Sequence, residues 1–144
     1  GELYGLPALV GVQLLYGRKD LLPSGKLPKT IDELVFMAEE IQKEKKVRGF
    51  IFPSIGSALK EFYLTLFKIY LQDQGGDETA RREAHIKAYR TLATLVYKYQ
   101  KKYRKYDYAV AEGEFRSGKV AFSINGNYVW YLLSRSKKVG FPIG

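Results

Sequence analysis

DYAVAEGEFRSGKVAFSINGNYVW, Asp107 to Trp130, puts a helix, a stop, a strand and an aromatic turn into two dozen residues. Asp107 suits an N-cap, because its carboxylate can accept from the first free helical amides. Tyr108, Ala111 and Phe115 recur at three and four residues and predict one apolar helical stripe. Gly118 stands where a helix C-terminus favours a left-handed residue. Val120, Phe122 and Ile124 then alternate with Ala121, Ser123 and Asn125, the pattern of a half-buried strand. Asn125-Gly126 breaks it, and Tyr128 and Trp130 follow. Asn-Gly favours a type I′ hairpin, yet the same residues suit a strand–turn–helix, and local rules leave both open. On a strand Tyr128 and Trp130 share a face, whereas on a helix they diverge by about 200°. Taken as an isolated pair, both aromatics read as core.

Earlier in the chain, Leu3–Pro7 and Val10–Tyr16 are rich in strand formers, interrupted at Pro7. Residues 20–28 read as a loop. Thr30 and Glu33 make a capping box, followed by a helix with Ile31, Leu34, Val35, Ala38 and Ile41 on one face and a solvated end at Lys43–Lys46. Val47–Phe52 predicts a strand closed by Pro53. Ser57–Gln74 predicts a helix with Leu59, Phe62, Tyr63, Leu66, Ile69 and Tyr70 at helical spacing, ended by Gly75-Gly76. Another long helix covers the basic segment from Thr79 to Tyr106, with Tyr89, Leu92, Val96, Tyr99 and Tyr103 as its apolar stripe. A short strand is expected around Val139–Pro142. Strands separated by helices argue for an α/β layer, and no repeat is visible.

The length of 144 residues suits one domain, which can bury roughly 70% of its unfolded surface. With no cysteine, disulfide frameworks and thiolate chemistry are excluded. No apolar run approaches the roughly 18 residues that span a bilayer, and no N-terminal signal pattern is present. Nearly all of the formal charge of +9 comes from one segment: residues 79–106 hold nine Lys/Arg against Glu83 alone. A basic amphipathic helix can bind phosphate backbones or an anionic membrane. Its apolar stripe, however, suits packing on a sheet, and lysine- and arginine-rich helix exteriors are common in thermophile proteins.

Enzyme chemistry finds little support. The single histidine, His85, follows Arg81 and Arg82 on the basic helix, with no cluster of further ligands for a metal and no second histidine for a nucleophilic triad. Glu112 and Glu114 are two apart and diverge on a helix, so they form no glycosidase pair. Gly1, Gly5 and Gly11 are too dispersed for a phosphate loop. No catalytic residue, metal or cofactor is expected.

The order of short motifs along the chain resembles extracellular solute-binding proteins of the maltose/maltodextrin type, the receptors of ABC importers. The motifs are GELYGLP at residues 1–7, LLYGRKDLLP at 14–23, PKTIDEL at 28–34, Gly75-Gly76-Asp77, and the run Tyr108–Trp130 with Ile124-Asn125-Gly126-Asn127-Tyr128. In that family the last of these reads Ile-Asn-Gly-Pro-Trp. The resemblance implies an α/β chain: a single lobe of a periplasmic-binding-protein (type II) fold, a small mixed sheet flanked by helices. It also selects strand–turn–helix, with the helix starting at Gly126–Tyr128. Residues 1–144 would be the C-terminal lobe, its partner lobe absent, and residues near YGLP and VGFPIG would cross between lobes.

Further consequences follow from the same resemblance. The ligand would be a maltooligosaccharide-like sugar, handed to an ABC permease, and the protein would be extracytoplasmic, in the periplasm or lipid-anchored at the cell surface. Tyr128 takes the place of the family's tryptophan and would stack on sugar, with Trp130 as a second aromatic nearby. Gly126 and Asn127 would bring backbone close to the ligand. Ser54 and Ser57, in the loop ahead of the long helix, form another ligand-facing edge. Gly11 replaces an acid that the family pattern often carries there. Surface left bare by a missing lobe would be apolar, and a homodimer or domain swap would cover it. The competing class is a basic-helix module that binds nucleic acid or another anionic surface.

Overall fold

A computed structural model describes residues 11–23, 25–72, 76–100, 106–136 and 139–144. The expected strand Leu3–Pro7, the Gly75 end of the glycine pair and Tyr103 lie outside those residues. Three strands, β1 (Gln13–Gly17), β2 (Arg48–Ile51) and β3 (Val120–Gly126), form one mixed sheet in the order β1-β3-β2. β3 is antiparallel to β1 and parallel to β2. Five helices accompany it: α1 (Ile31–Lys45), α2 (Gly56–Gln72), α3 (Glu78–Tyr99), α4 (Tyr108–Arg116) and α5 (Tyr128–Arg135).

Local chemistry sets the helix ends. The Thr30 side chain accepts from the Glu33 amide at 3.1 Å, and the Glu33 carboxylate accepts from the Lys29 amide at 2.7 Å, so the capping box closes one residue earlier than its usual form. Asp77 and Asp107 cap α3 and α4 by accepting from Ala80 and Val110. After α4 the chain reverses at Gly118, whose φ of +76° is open to glycine but strained for other residues.

β3 departs from the half-buried alternation expected of it. Ala121, Ser123 and Asn125 are as buried as Val120, Phe122 and Ile124. The reason is its place: as the middle strand it has a neighbour on each edge, and helices pack on the sheet around it. The main core joins Leu34, Ala38 and Ile41 of α1 with Phe50, Phe62, Leu66, Leu95 and Phe122. A second cluster gathers Tyr16, Phe115, Val129 and Leu133, with Phe141 against it.

Two further expectations change. α3 buries Ala80, Ala84, Ala88, Leu95 and Tyr99, while Tyr89 is exposed. Alanines at every fourth position let α3 approach α2 closely, which places the larger tyrosine at the rim, its ring 4.5 Å from that of Tyr63. Residues 139–144 form no strand beyond a bridge from Ile143 to Arg18, although Gly144 exchanges backbone hydrogen bonds with Gly17. Pro142 has no amide to extend the ladder, and only its carbonyl is used, by the Lys19 amide.

Candidate functional site

At the C-terminal end of β3, where the strand passes into α5, lies a cavity of about 590 Å³. Its floor is the turn Gly126-Asn127-Tyr128, and one wall is the approach to β1, Gly11 to Gln13. The Asn127 amide donates to the Val12 carbonyl at 2.9 Å, which joins these two pieces of backbone. The opposite wall is a face of α2, Glu61, Leu64, Thr65 and Lys68, spaced by three and four residues as one side of a helix requires. Tyr108, the first residue of α4, completes the lining.

The polar groups converge. The Tyr108 hydroxyl donates to Glu61 Oε2 at 2.6 Å, and the Tyr108 and Tyr128 rings meet edge to face with centroids 6.4 Å apart. The Thr65 hydroxyl lies 3.2 Å from Gln13 Oε1, and a hydrogen bond from the Gln13 side chain to the Tyr108 hydroxyl partly offsets the rise of that phenol's pKa. Burial pushes the Tyr108 hydroxyl up to about 12, with further upward contributions from its bond to the Glu61 carboxylate and from that carboxylate's charge. Burial raises Tyr128 as well, followed by the nearby charges of Glu112 and Glu61. Both phenols therefore stay protonated across the neutral range. The site offers aromatic faces, hydroxyls, an amide, one carboxylate and one ammonium, a set suited to holding a polyhydroxylated molecule.

Of the residues singled out in the sequence, Gly11, Gly126, Asn127 and Tyr128 come together around this cavity. Trp130 does not line it; on α5 it turns away and stands exposed beside Tyr131 and Leu132. Ser54 ties a loop, its amide donating to the Tyr106 carbonyl at 2.7 Å and its Oγ accepting from the Tyr106 amide at 3.1 Å. Ser57 is exposed in the first turn of α2, away from the cavity. Sequence reasoning passed over Gln13, Glu61, Thr65, Lys68 and the cavity-lining side of Tyr108. The α2 signal was present as a second stripe at 61, 64, 65 and 68, but its mixed polarity reads as solvent-facing surface.

Other candidate chemistry is engaged elsewhere. Glu112 pairs with Arg116, and Glu114 with Arg48 and Lys119. His85 is exposed, stacked on Phe67 at 4.0 Å and in contact with the Tyr63 hydroxyl. Among the described residues no three His, Asp or Glu side chains gather into a metal-binding group. No described helix is long and apolar enough to cross a membrane.

The whole chain, residues 1–144, matches the model of a family described as bacterial extracellular solute-binding protein. This chain belongs to that family. The solute-binding protein superposes on the maltose-bound MalE3 of T. maritima with a TM-score of 0.73 and 29% identity, over 93% of this chain and 37% of that one. A structure from work on xylan utilization by the thermophilic bacterium Caldanaerobius polysaccharolyticus gives 0.64 and 21% identity, over 92% of this chain and 37% of that one, a likeness of fold alone. The chain thus spans a little over a third of these relatives. Its three-stranded mixed sheet and flanking helices are a portion of the type II periplasmic-binding fold.

Proposed function

We propose that this solute-binding chain supplies one wall, the C-terminal lobe, of the ligand cleft of a two-lobe receptor. The receptor takes up a neutral oligosaccharide of the maltodextrin kind outside the cytoplasm and delivers it to an ABC permease. The observation that carries this reading is the cavity at the end of β3, where the half-exposed Tyr128 ring adjoins Tyr108, Glu61 and Gln13. A sugar ring presents C–H groups on one face and hydroxyls around its edge. An aromatic platform ringed by donors and acceptors answers both. The maltose held by a relative that shares 29% of its residues over this chain points to glucose units. Closure of a second wall would remove water and strengthen each of these hydrogen bonds. The basic helix gives the competing reading, since Arg81, Arg82, Lys87 and Arg90 all stand exposed on α3.

Calorimetric titration of the two-lobe receptor with maltotriose, xylotriose and a short single-stranded DNA, at about 50 and 200 mM salt, separates the readings. The expected result is saturable maltotriose binding that salt barely changes. DNA binding that collapses as salt rises, with no sugar response, contradicts the proposal.

A further inference from the structure

Beyond the lining residues themselves, we propose that Asn125 is the positioning residue of this cavity, and that with Gly126 it sets the Tyr128 ring so that a ligand meets the ring's face and not its hydroxyl. The inference rests on the sugar-cleft reading above.

Asn125 is 1% exposed, and its side chain is used in three directions. Oδ1 accepts from the Gly126 amide at 2.8 Å and lies 3.2 Å from the Tyr128 hydroxyl, which donates to it. Nδ2 donates to the Tyr108 carbonyl at 3.3 Å. The amide's orientation follows from these partners, because a backbone N–H can only donate and a carbonyl can only accept. One buried side chain therefore ties together the tip of one cavity tyrosine and the backbone of the other.

Gly126 completes the seat. A Cβ at this position would collide with Cδ1 and Cε1 of Tyr128, so the ring lies directly over the glycine. A larger residue at 126 would push the Tyr128 ring off this seat. From the far side the Tyr16 hydroxyl donates to the Gly126 carbonyl at 2.9 Å, which holds the peptide under the ring. Tyr128 is thus fixed below by Gly126, at its tip by Asn125 and at its edge by the Tyr108 ring, yet stays 51% exposed. The Tyr128 hydroxyl proton is committed to Asn125, so the residue acts as a pre-set platform whose ordering cost is met before the ligand arrives.

The test is a double-mutant cycle on the two-lobe receptor, with maltotriose as probe, calorimetry for affinity and thermal unfolding alongside. Tyr128→Phe removes the hydroxyl and keeps the ring; it should weaken binding about fivefold, the effect of one net hydrogen bond, with little change in unfolding temperature. Asn125→Ala should weaken binding further, since it releases Tyr108 as well. The double variant should then bind no more weakly than Asn125→Ala alone, because both changes break one linkage. Gly126→Ala should cost about tenfold or more by displacing the ring. Strictly additive losses overturn the proposal, since the hydroxyl would then meet ligand independently of Asn125. Should Asn125→Ala fail to fold, wild-type affinity in both Tyr128→Phe and Gly126→Ala overturns it instead. Wild-type affinity in Tyr128→Ala sinks the cleft reading itself, a separate result.

Discussion

The helix α3 and the turn from β3 into α5 carry opposite kinds of signal. α3 concentrates charge, with Arg81, Arg82, Lys87 and Arg90 exposed along it, yet its buried side is alanine, leucine and tyrosine packed on α2 and the sheet. Its cations are dispersed: Lys87 lies over the Tyr70 ring, Lys98 pairs with Glu39, and Arg90 borders a groove shared with α1. The turn at Asn125–Tyr128 is uncharged, and there groups from four parts of the chain converge on one cavity. Convergence, not charge density, is the ground on which this cavity is proposed as the binding site. Exposed charges on a helix repel each other and hydrate separately, whereas a ligand needs several matched groups within reach at once.

The contrast between the two regions is tested most strongly at Leu95. This α3 residue is 1% exposed in the main core, so Leu95→Ala should lose about 2–5 kcal/mol of stability by chemical denaturation. Ligand affinity measured on the folded fraction should stay unchanged; a selective loss of binding would move the functional weight to α3. Next, Tyr128→Ala should weaken maltotriose binding about tenfold or more in calorimetry while leaving unfolding almost unaffected, since the residue is half-exposed. A large stability loss with unchanged affinity would mark it as a packing residue.

Alkaline pH sets one tyrosine from each region side by side. Burial, aided by the Glu39 charge, pushes Tyr99 at the end of α3 up to about 12, and Tyr108 in the cavity reaches about 12 as well. An unfolded tyrosine ionises near 10, so the unfolded chain loses these protons first. The stability they contribute is complete below about pH 10 and falls as pH rises to about 12. Urea unfolding of wild type and Tyr108→Phe across that range should show a shallower fall in the variant, and identical slopes would contradict the burial of the Tyr108 hydroxyl. Surface charge should matter least: Arg81→Gln with Arg82→Gln should change stability by less than about 0.5 kcal/mol and leave maltotriose affinity as it was. Loss of sugar binding there would overturn the contrast.

Much of the fold was legible because it rests on short-range chemistry. The caps at Thr30 and Asp107, the reversal at Gly118 and the strand after it need only their neighbours. The choice between hairpin and helix after Asn125 was open locally, and the Asn127 amide on Val12, over a hundred residues away, is the kind of contact that no window around the turn contains. The full burial of Ser123 and Asn125 depends on β3 lying between two other strands. The site divides the same way. Tyr128, Asn127, Gly126 and Gly11, which line the cavity, were singled out through a motif order that resembles a family's. Glu61 and Thr65 were missed because an amphipathic helix facing a cavity has the same sequence pattern as one facing water, and Gln13 because it opens a strand whose other residues are mostly apolar. Tyr108 fell into the apolar stripe of α4, and only its 2.6 Å bond to Glu61 reveals its second role.

A crystal structure of the two-lobe receptor with maltotriose bound would decide whether the cavity at the end of β3 is a sugar site. The expected result is a glucose ring laid on the open face of Tyr128, its carbons about 4 Å from the tyrosine ring, with its hydroxyls bonded to Gln13 and Glu61. Maltotriose bound elsewhere, with that cavity holding only water, would contradict it.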